Sequence, residues 1–387
     1  MFCTVFENQL YSLIFGLELM ETKLLYQIAL TLIPGIGPVK AKLLLAHCGS
    51  AEAVFKEPKR SLLKIPDIGS VLAEVIQKAD VLTRAQKELE FIERNRVVAL
   101  FIGDPDYPER LKQCEDSPIV LYTKGNMNLD SKRVISIVGT RSATPYGKEF
   151  CNVLLEGIKG YDPVIVSGLA YGIDVAAHKK SVDLGLSTVG CLAHGLEKIY
   201  PSVHLLVATE MLNNGGLVTE FVSNTKQAAE LFPMRNRIIA GLADCTVVIE
   251  TDHKGGSIIT AYLANSYGRE VFALPGRHCD KMSSGCNELI KRNIAAILTQ
   301  PADLINYMNW ENTKQKPVRQ LPLFQDFSAD ENKLIAFLNG RGKSTLDSIS
   351  IQTGQSVSEL SSLLLELEFK GAIKSLPGKV YEAIAVL

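Results

Sequence analysis

The sequence predicts an α/β protein: a Rossmann-like, doubly wound parallel sheet between a helical N-terminal domain and a C-terminal winged helix. Three observations carry this expectation. Between residues 134 and 308, short unbroken apolar runs alternate with helical stretches, the pattern of parallel strands covered on both faces. Residues 20–96 are helical by pattern and repeat a glycine turn, and residues 329–387 order three helices before a strand-turn-strand. A chain of 387 residues also exceeds what one hydrophobic core serves.

In chain order, residues 1–19 are apolar in places, but Glu7 and Glu18 interrupt them. No positively charged start or small-residue cleavage site accompanies them, so they read as an extension outside the fold, neither signal peptide nor membrane span. In the helical domain, Ile33-Pro34-Gly35-Ile36-Gly37 recurs as Ile65-Pro66-Asp67-Ile68-Gly69, each copy leading into an apolar helix (Ala41 to Ala46, Val71 to Ile76). That is a helix-hairpin-helix or SAM-like layout. Such turns either point backbone N–H groups at a DNA phosphate or simply close a small bundle, and only Lys40 and Lys42 supply charge nearby.

Residues 97–133 are rich in turn formers around short strands and precede the sheet as its N-terminal extension, giving a domain over 97–308. Its strands are expected at Val134 to Val138, Val164 to Val166, Ser187 to Leu192, Leu217 to Thr219, Thr246 to Ile249, Glu270 to Ala273 and Ala296 to Leu298. Residues 309–328 are polar and proline-bearing, a linker. Helices at Glu331 to Leu338, Leu346 to Gln352 and Val357 to Lys370, then strands turning at Pro377-Gly378, make the winged helix. Its third helix carries Glu359, Glu366 and Glu368, with no Lys or Arg before Lys370, which opposes DNA. The module is therefore expected to contact a protein, of unknown identity.

Net charge is 41 minus 42, or −1, so any affinity for nucleic acid must be local. The eight cysteines are scattered without a CxxC pair, as in a reduced cytoplasmic protein. His278, Cys279 and Cys286 lack the paired spacing of structural zinc sites, and no metal or cofactor is expected.

Ligands of open parallel sheets sit at the carboxyl ends of the strands. Three loops there suit anions: Gly139-Thr140-Arg141-Ser142, Ser167-Gly168-Leu169 and Gly255-Gly256-Ser257. Glycine lets the backbone approach a ligand, while hydroxyls and free N–H groups donate. The run Phe232-Pro233-Met234-Arg235-Asn236-Arg237 adds an aromatic ring, two guanidiniums and an amide. Guanidinium holds phosphate bidentately and a ring stacks on any base, which favours a single strand over duplex. For Arg235 and Arg237 an internal ion pair with Glu220 or Glu250 is the competing reading.

Enzyme motifs come close and fail. Gly342-Lys343-Ser344 resembles the end of a Walker A loop, but Phe337 stands where its first glycine belongs. Gly139 and its neighbours lack G-x-G-x-x-G spacing. Asp174 and His178 near Ser167 suggest a hydrolase triad, yet there is no G-x-S-x-G elbow, and a helix cap with its neighbour is the plainer reading.

Several separate motifs between residues 135 and 294 nevertheless occur together and in order. They are Ile137-Val138-Gly139-Thr140-Arg141, Val166 to Asp174 with Ala177-His178, Gly195-Leu196 with Tyr200-Pro201, and Thr219-Glu220-Phe221. Phe232 to Leu242, Gly256 to Ala261, Val271 to Gly276 and Gly285-Cys286-Asn287 follow. This set resembles the DprA/Smf family of DNA-processing proteins, and the helical front and winged-helix tail match longer members. The resemblance implies a non-enzymatic protein that binds and protects incoming single-stranded DNA, dimerises through its Rossmann-like domain and helps load a RecA-type recombinase in natural transformation. It implies a DNA groove at Gly139, Thr140, Arg141, Ser167, Gly168, Tyr171, Phe232, Arg235, Asn236, Arg237, Gly255, Gly256 and Ser257. Tyr171 replaces the arginine of many relatives, and Ser202 and Val203 stand where a lysine is usual. Tyr171 can stack a base there. From the enzyme class, the alternative is a phosphoribohydrolase-like nucleotide hydrolase, which shares this kind of sheet and a Gly-Gly loop. Here that loop runs into Ile258-Ile259-Thr260-Ala261-Tyr262 and not to a glutamate.

Overall fold

The computed structural model describes residues 21–310, 327–370, 372–376 and 379–383. The expectations for the N-terminal extension, for most of the linker and for the Pro377-Gly378 turn fall outside the described residues. The described chain forms two compact units, residues 21–310 and residues 327–383.

The first unit opens with helices α1 (residues 21–31), α2 (Pro38–Cys48), α3 (Ala51–Lys56), α4 (Lys59–Leu62), α5 (Ser70–Lys78) and α6 (Leu82–Asn95). Gly37 precedes α2 with Pro38 at its first position, and Gly49 ends it in the left-handed region, so local sequence sets both ends. The repeated isoleucines Ile33, Ile36, Ile65 and Ile68 are all buried in this helical core. Lys42, one of the two cations near the first glycine turn, points inward and donates to Cys114 O, Glu115 O and Ser117 Oγ. The core runs on into the sheet extension through Val97, Ile119, Val120 and Tyr122.

Two strands of the connecting region, β1 (Val98–Phe101) and β2 (Val120–Asn126), flank the short helix α7 (Glu109–Lys112). All seven expected strands follow: β3 (Val134–Gly139), β4 (Val164–Ser167), β5 (Thr188–Cys191), β6 (Gly215–Thr219), β7 (Cys245–Ile249), β8 (Glu270–Ala273) and β9 (Ala296–Ile297). The nine-stranded sheet has the order β1-β2-β6-β5-β4-β3-β7-β8-β9. From β6 to β9 every pairing is parallel, while β1–β2 and β2–β6 are antiparallel. Alternation along β3 sorts the two layers. Ile135 and Ile137 face α8 (Pro145–Ile158) and α9 (Ile173–Leu184), with Pro301–Tyr307 beyond, whereas Val134 and Val138 face the opposite core. That second layer comprises α11 (Leu231–Leu242), α12 (Gly256–Ser266) and α13 (Lys281–Lys291), while α10 (Leu205–Met211) packs near β6. The chain winds from β3 toward β6 and later from β3 toward β9, so β3 and β7 straddle the topological switch point.

The second unit is a winged helix: α15 (Ala329–Arg341), α16 (Leu346–Thr353), α17 (Val357–Phe369) and a three-stranded sheet of Ser344–Thr345, Ile373–Leu376 and Val380–Ala383. Capping boxes Ser328/Glu331 and Ser356/Glu359 start α15 and α17. Gly354 ends α16 in the left-handed region. On α17, Leu365 and Phe369 are exposed one turn apart.

Candidate nucleic-acid interface

At the switch point, the carboxyl ends of β3, β4 and β7 and the N-termini of α11 and α12 enclose a cavity of about 430 Å³. Gly139, Thr140, Arg141, Phe232, Arg235, Asn236, Gly255, Gly256 and Ser257 all line it, so two of the three glycine loops meet. Backbone bonds fix the first loop: Thr140 N donates to Glu250 O at 2.7 Å, and Ile173 N donates to Thr140 O at 3.2 Å. Only glycine fits around it. A Cβ on Gly139 would lie 2.0 Å from Ile249 O, and one on Gly172, at φ +80°, 2.1 Å from Thr140 O. Glu250 holds the far side, accepting from Thr144 N at 2.8 Å and from Thr144 Oγ1.

Arg141 is exposed, and its guanidinium lies 5.0 Å from the Phe232 ring centroid, a cation–π stack at the cavity mouth. Opposite stands the start of α12, where Gly255 is the N-cap and no side chain caps the helix. Ser257 Oγ in that first turn is buried and has no hydrogen-bond partner. A free helix N-terminus with an unpartnered hydroxyl is an anion cradle. Asn236 Nδ2 donates to Gly256 O at 3.4 Å, tying α11 to that loop.

The second glycine loop lies to one side. Ser167 is fully buried and its Oγ donates to Ile137 O at 2.6 Å, while Gly168 and Tyr171 line a smaller adjoining chamber that shares Arg141, Phe232 and Arg235 with the main cavity. Arg235 is 4% exposed and forms the wall between them. Its Nη1 donates to Gly168 O at 2.6 Å and Cys191 O at 2.5 Å, against the carboxylate of Asp174. Burial raises the Asp174 carboxyl above its ordinary range and Arg235 opposes that shift. Arg237 faces away from the cavity: it is buried and pairs with Glu220 and Asp116 O, the internal ion pair weighed in the sequence.

Asp174 is not the cap of α9, which is Gly172; it sits in the first turn and accepts from Ala170 N. His178 Nδ1 bonds Thr188 Oγ1 at 2.7 Å, so Ser167, His178 and Asp174 do not assemble as a triad. Of the cations between residues 253 and 292, Arg269 donates to Arg110 O and Gln113, Lys281 pairs with Asp252, and Arg292 pairs with Glu288. Sequence reasoning did not single out His194, which lines the side chamber; an isolated histidine in an apolar run carries no signal of its own.

The family model for DNA recombination-mediator protein A matches residues 98–309, and that for the DprA winged helix domain matches residues 317–379. The DNA processing protein DprA of Bacillus subtilis is 45% identical over 197 residues, covering 51% of this chain and 66% of that relative. Protein Smf of Escherichia coli is 34% identical over 277 residues, 70% of this chain and 74% of its own length. The structure of DNA processing protein A from Streptococcus pneumoniae superposes with a TM-score of 0.62 at 28% identity, covering 73% of this chain and 95% of that one. DNA processing protein A from Helicobacter pylori, whose single-stranded DNA binding mode has been described, superposes with a TM-score of 0.50 at 29% identity over 55% of this chain and 96% of that one. The matched sheet domain, the matched tail and these relatives agree: the chain belongs to the DprA/Smf family of DNA-processing proteins.

Proposed function

We propose that the chain binds single-stranded DNA in the cavity at the switch point. The carrying observation is the Arg141–Phe232 stack, which faces the uncapped start of α12 across one cleft. Glycine backbone, Ser257 and Arg141 supply donors for phosphate, and Phe232 supplies a face for a base. Arg235 serves this reading as a scaffold for Gly168, and Arg237 drops out of the groove. The single-stranded DNA binding described for the Helicobacter pylori protein supports the reading. By family resemblance the proposal extends to a cytoplasmic homodimer that protects incoming strands and assists a RecA-type recombinase in natural transformation, without catalysis.

Oligonucleotide binding against salt tests it. Single strand is expected to bind more tightly than duplex, with a log–log slope of about −0.7 per phosphate contacted, made shallower by Arg141→Ala. Unchanged affinity and slope in that variant would remove Arg141 from the groove. Release of free base from nucleoside monophosphates would instead favour the hydrolase alternative.

A further inference from the structure

Beside the main cavity lies the smaller chamber, about 60 Å³, reached past Arg141 and Phe232. One water takes roughly 10–15 Å³ on this measure. The chamber therefore admits the leading edge of a planar ring but not a sugar-phosphate. Tyr171 and Tyr200 line it and are each 47% exposed, and Tyr171 is braced edge-on by His204 at 5.1 Å.

His194 also lines it and is 3% exposed. Its Nδ1 bonds Gly195 O at 2.8 Å, and a carbonyl only accepts, so the ring proton resides on Nδ1. Nε2 is left with a lone pair and has no partner. Burial lowers the pKa of this ring from 6.5, which keeps it neutral and keeps Nε2 an acceptor. An apolar chamber holding one unsatisfied acceptor calls for a planar ligand with an N–H on its edge.

We propose that the chamber receives the Watson–Crick edge of one unpaired nucleobase, whose N–H donates to His194 Nε2 while Tyr171 and Tyr200 flank its ring. The inference rests on the groove reading and deepens it. All four bases carry an N–H on that edge, so the contact tolerates sequence. In duplex the same edge is already paired, so the chamber excludes it. Strand choice is then made by base geometry, whereas the phosphate contacts supply affinity common to both forms.

The test uses the full chain and two oligothymidylates of equal length, one plain and one methylated at N3, which removes the donor and nothing from the backbone. The wild type should bind the plain strand about five- to tenfold more tightly, the scale of one lost hydrogen bond. His194→Phe, with thermal melting as the check on folding, should abolish that difference and leave the salt slope unchanged. Equal binding of both strands by the wild type, or discrimination that survives in His194→Phe, overturns the chamber proposal while the groove stands. Absence of any binding to either strand sinks the groove reading and this inference with it.

Discussion

Arg235 holds the wall of the groove from inside, joining the carbonyls of Gly168 and Cys191 and facing Asp174. Arg235→Met leaves a buried carboxylate without its counter-charge, and urea unfolding should show a loss of about 3–5 kcal/mol. Adding Asp174→Asn should restore part of it, because the two sites are coupled. A second expectation concerns acid. Burial, then Arg235 nearby, hold the His178 imidazole down to about 3, against 6.5 for a free ring. Between those values the unfolded state binds the proton and the folded state does not, so stability falls as pH drops from 6.5 toward 3, by about 1.4 kcal/mol per unit for this residue. Urea midpoints at pH 7, 6 and 5 should decline more steeply in wild type than in His178→Gln; parallel declines would exclude His178 as the source. Arg141, Arg235 and Arg237 look alike in sequence because composition names a guanidinium and not the direction it faces. Helix α11 buries most of its turns, so only the exposed Arg141 kept the role its residue type suggested.

The start of α12 separates affinity from stability. Ser257 Oγ has no partner within the protein, so Ser257→Ala should leave the unfolding midpoint within roughly 0.5 kcal/mol of wild type while weakening single-strand binding. Equal affinity would place the phosphate elsewhere. Gly172→Ala pushes a methyl into Thr140 O and should displace the Arg141 loop, lowering both stability and affinity. At this scale the sequence was most legible, since unbroken β-branched runs such as Val134 to Val138 have few other uses. The strands β1 and β2 were seen only as part of a turn-rich connection, because their pairing partner β6 lies far along the chain and no local pattern announces it.

For the whole molecule, the seam between helical front and sheet is polar and specific. Glu88 on α6 is 1% exposed and accepts from Ser223 N at 2.9 Å and Ser223 Oγ at 2.6 Å, with Arg84 beside it. Residues 21–310 should therefore unfold in one calorimetric transition, and Glu88→Ala should split or broaden it. A fragment ending at residue 310 should keep the single-strand affinity of the full chain; complete loss would mean that the winged helix is the main reader. The place of β2 also bears on synthesis. Tyr122 pairs with Thr219, 97 residues later, so β2 leaves the ribosome without its neighbour for about 5–20 s at ordinary elongation rates. Through that interval the nascent helical bundle carries an open hairpin edge, and translation speed across residues 127–219 governs how long that edge is free to capture a wrong strand.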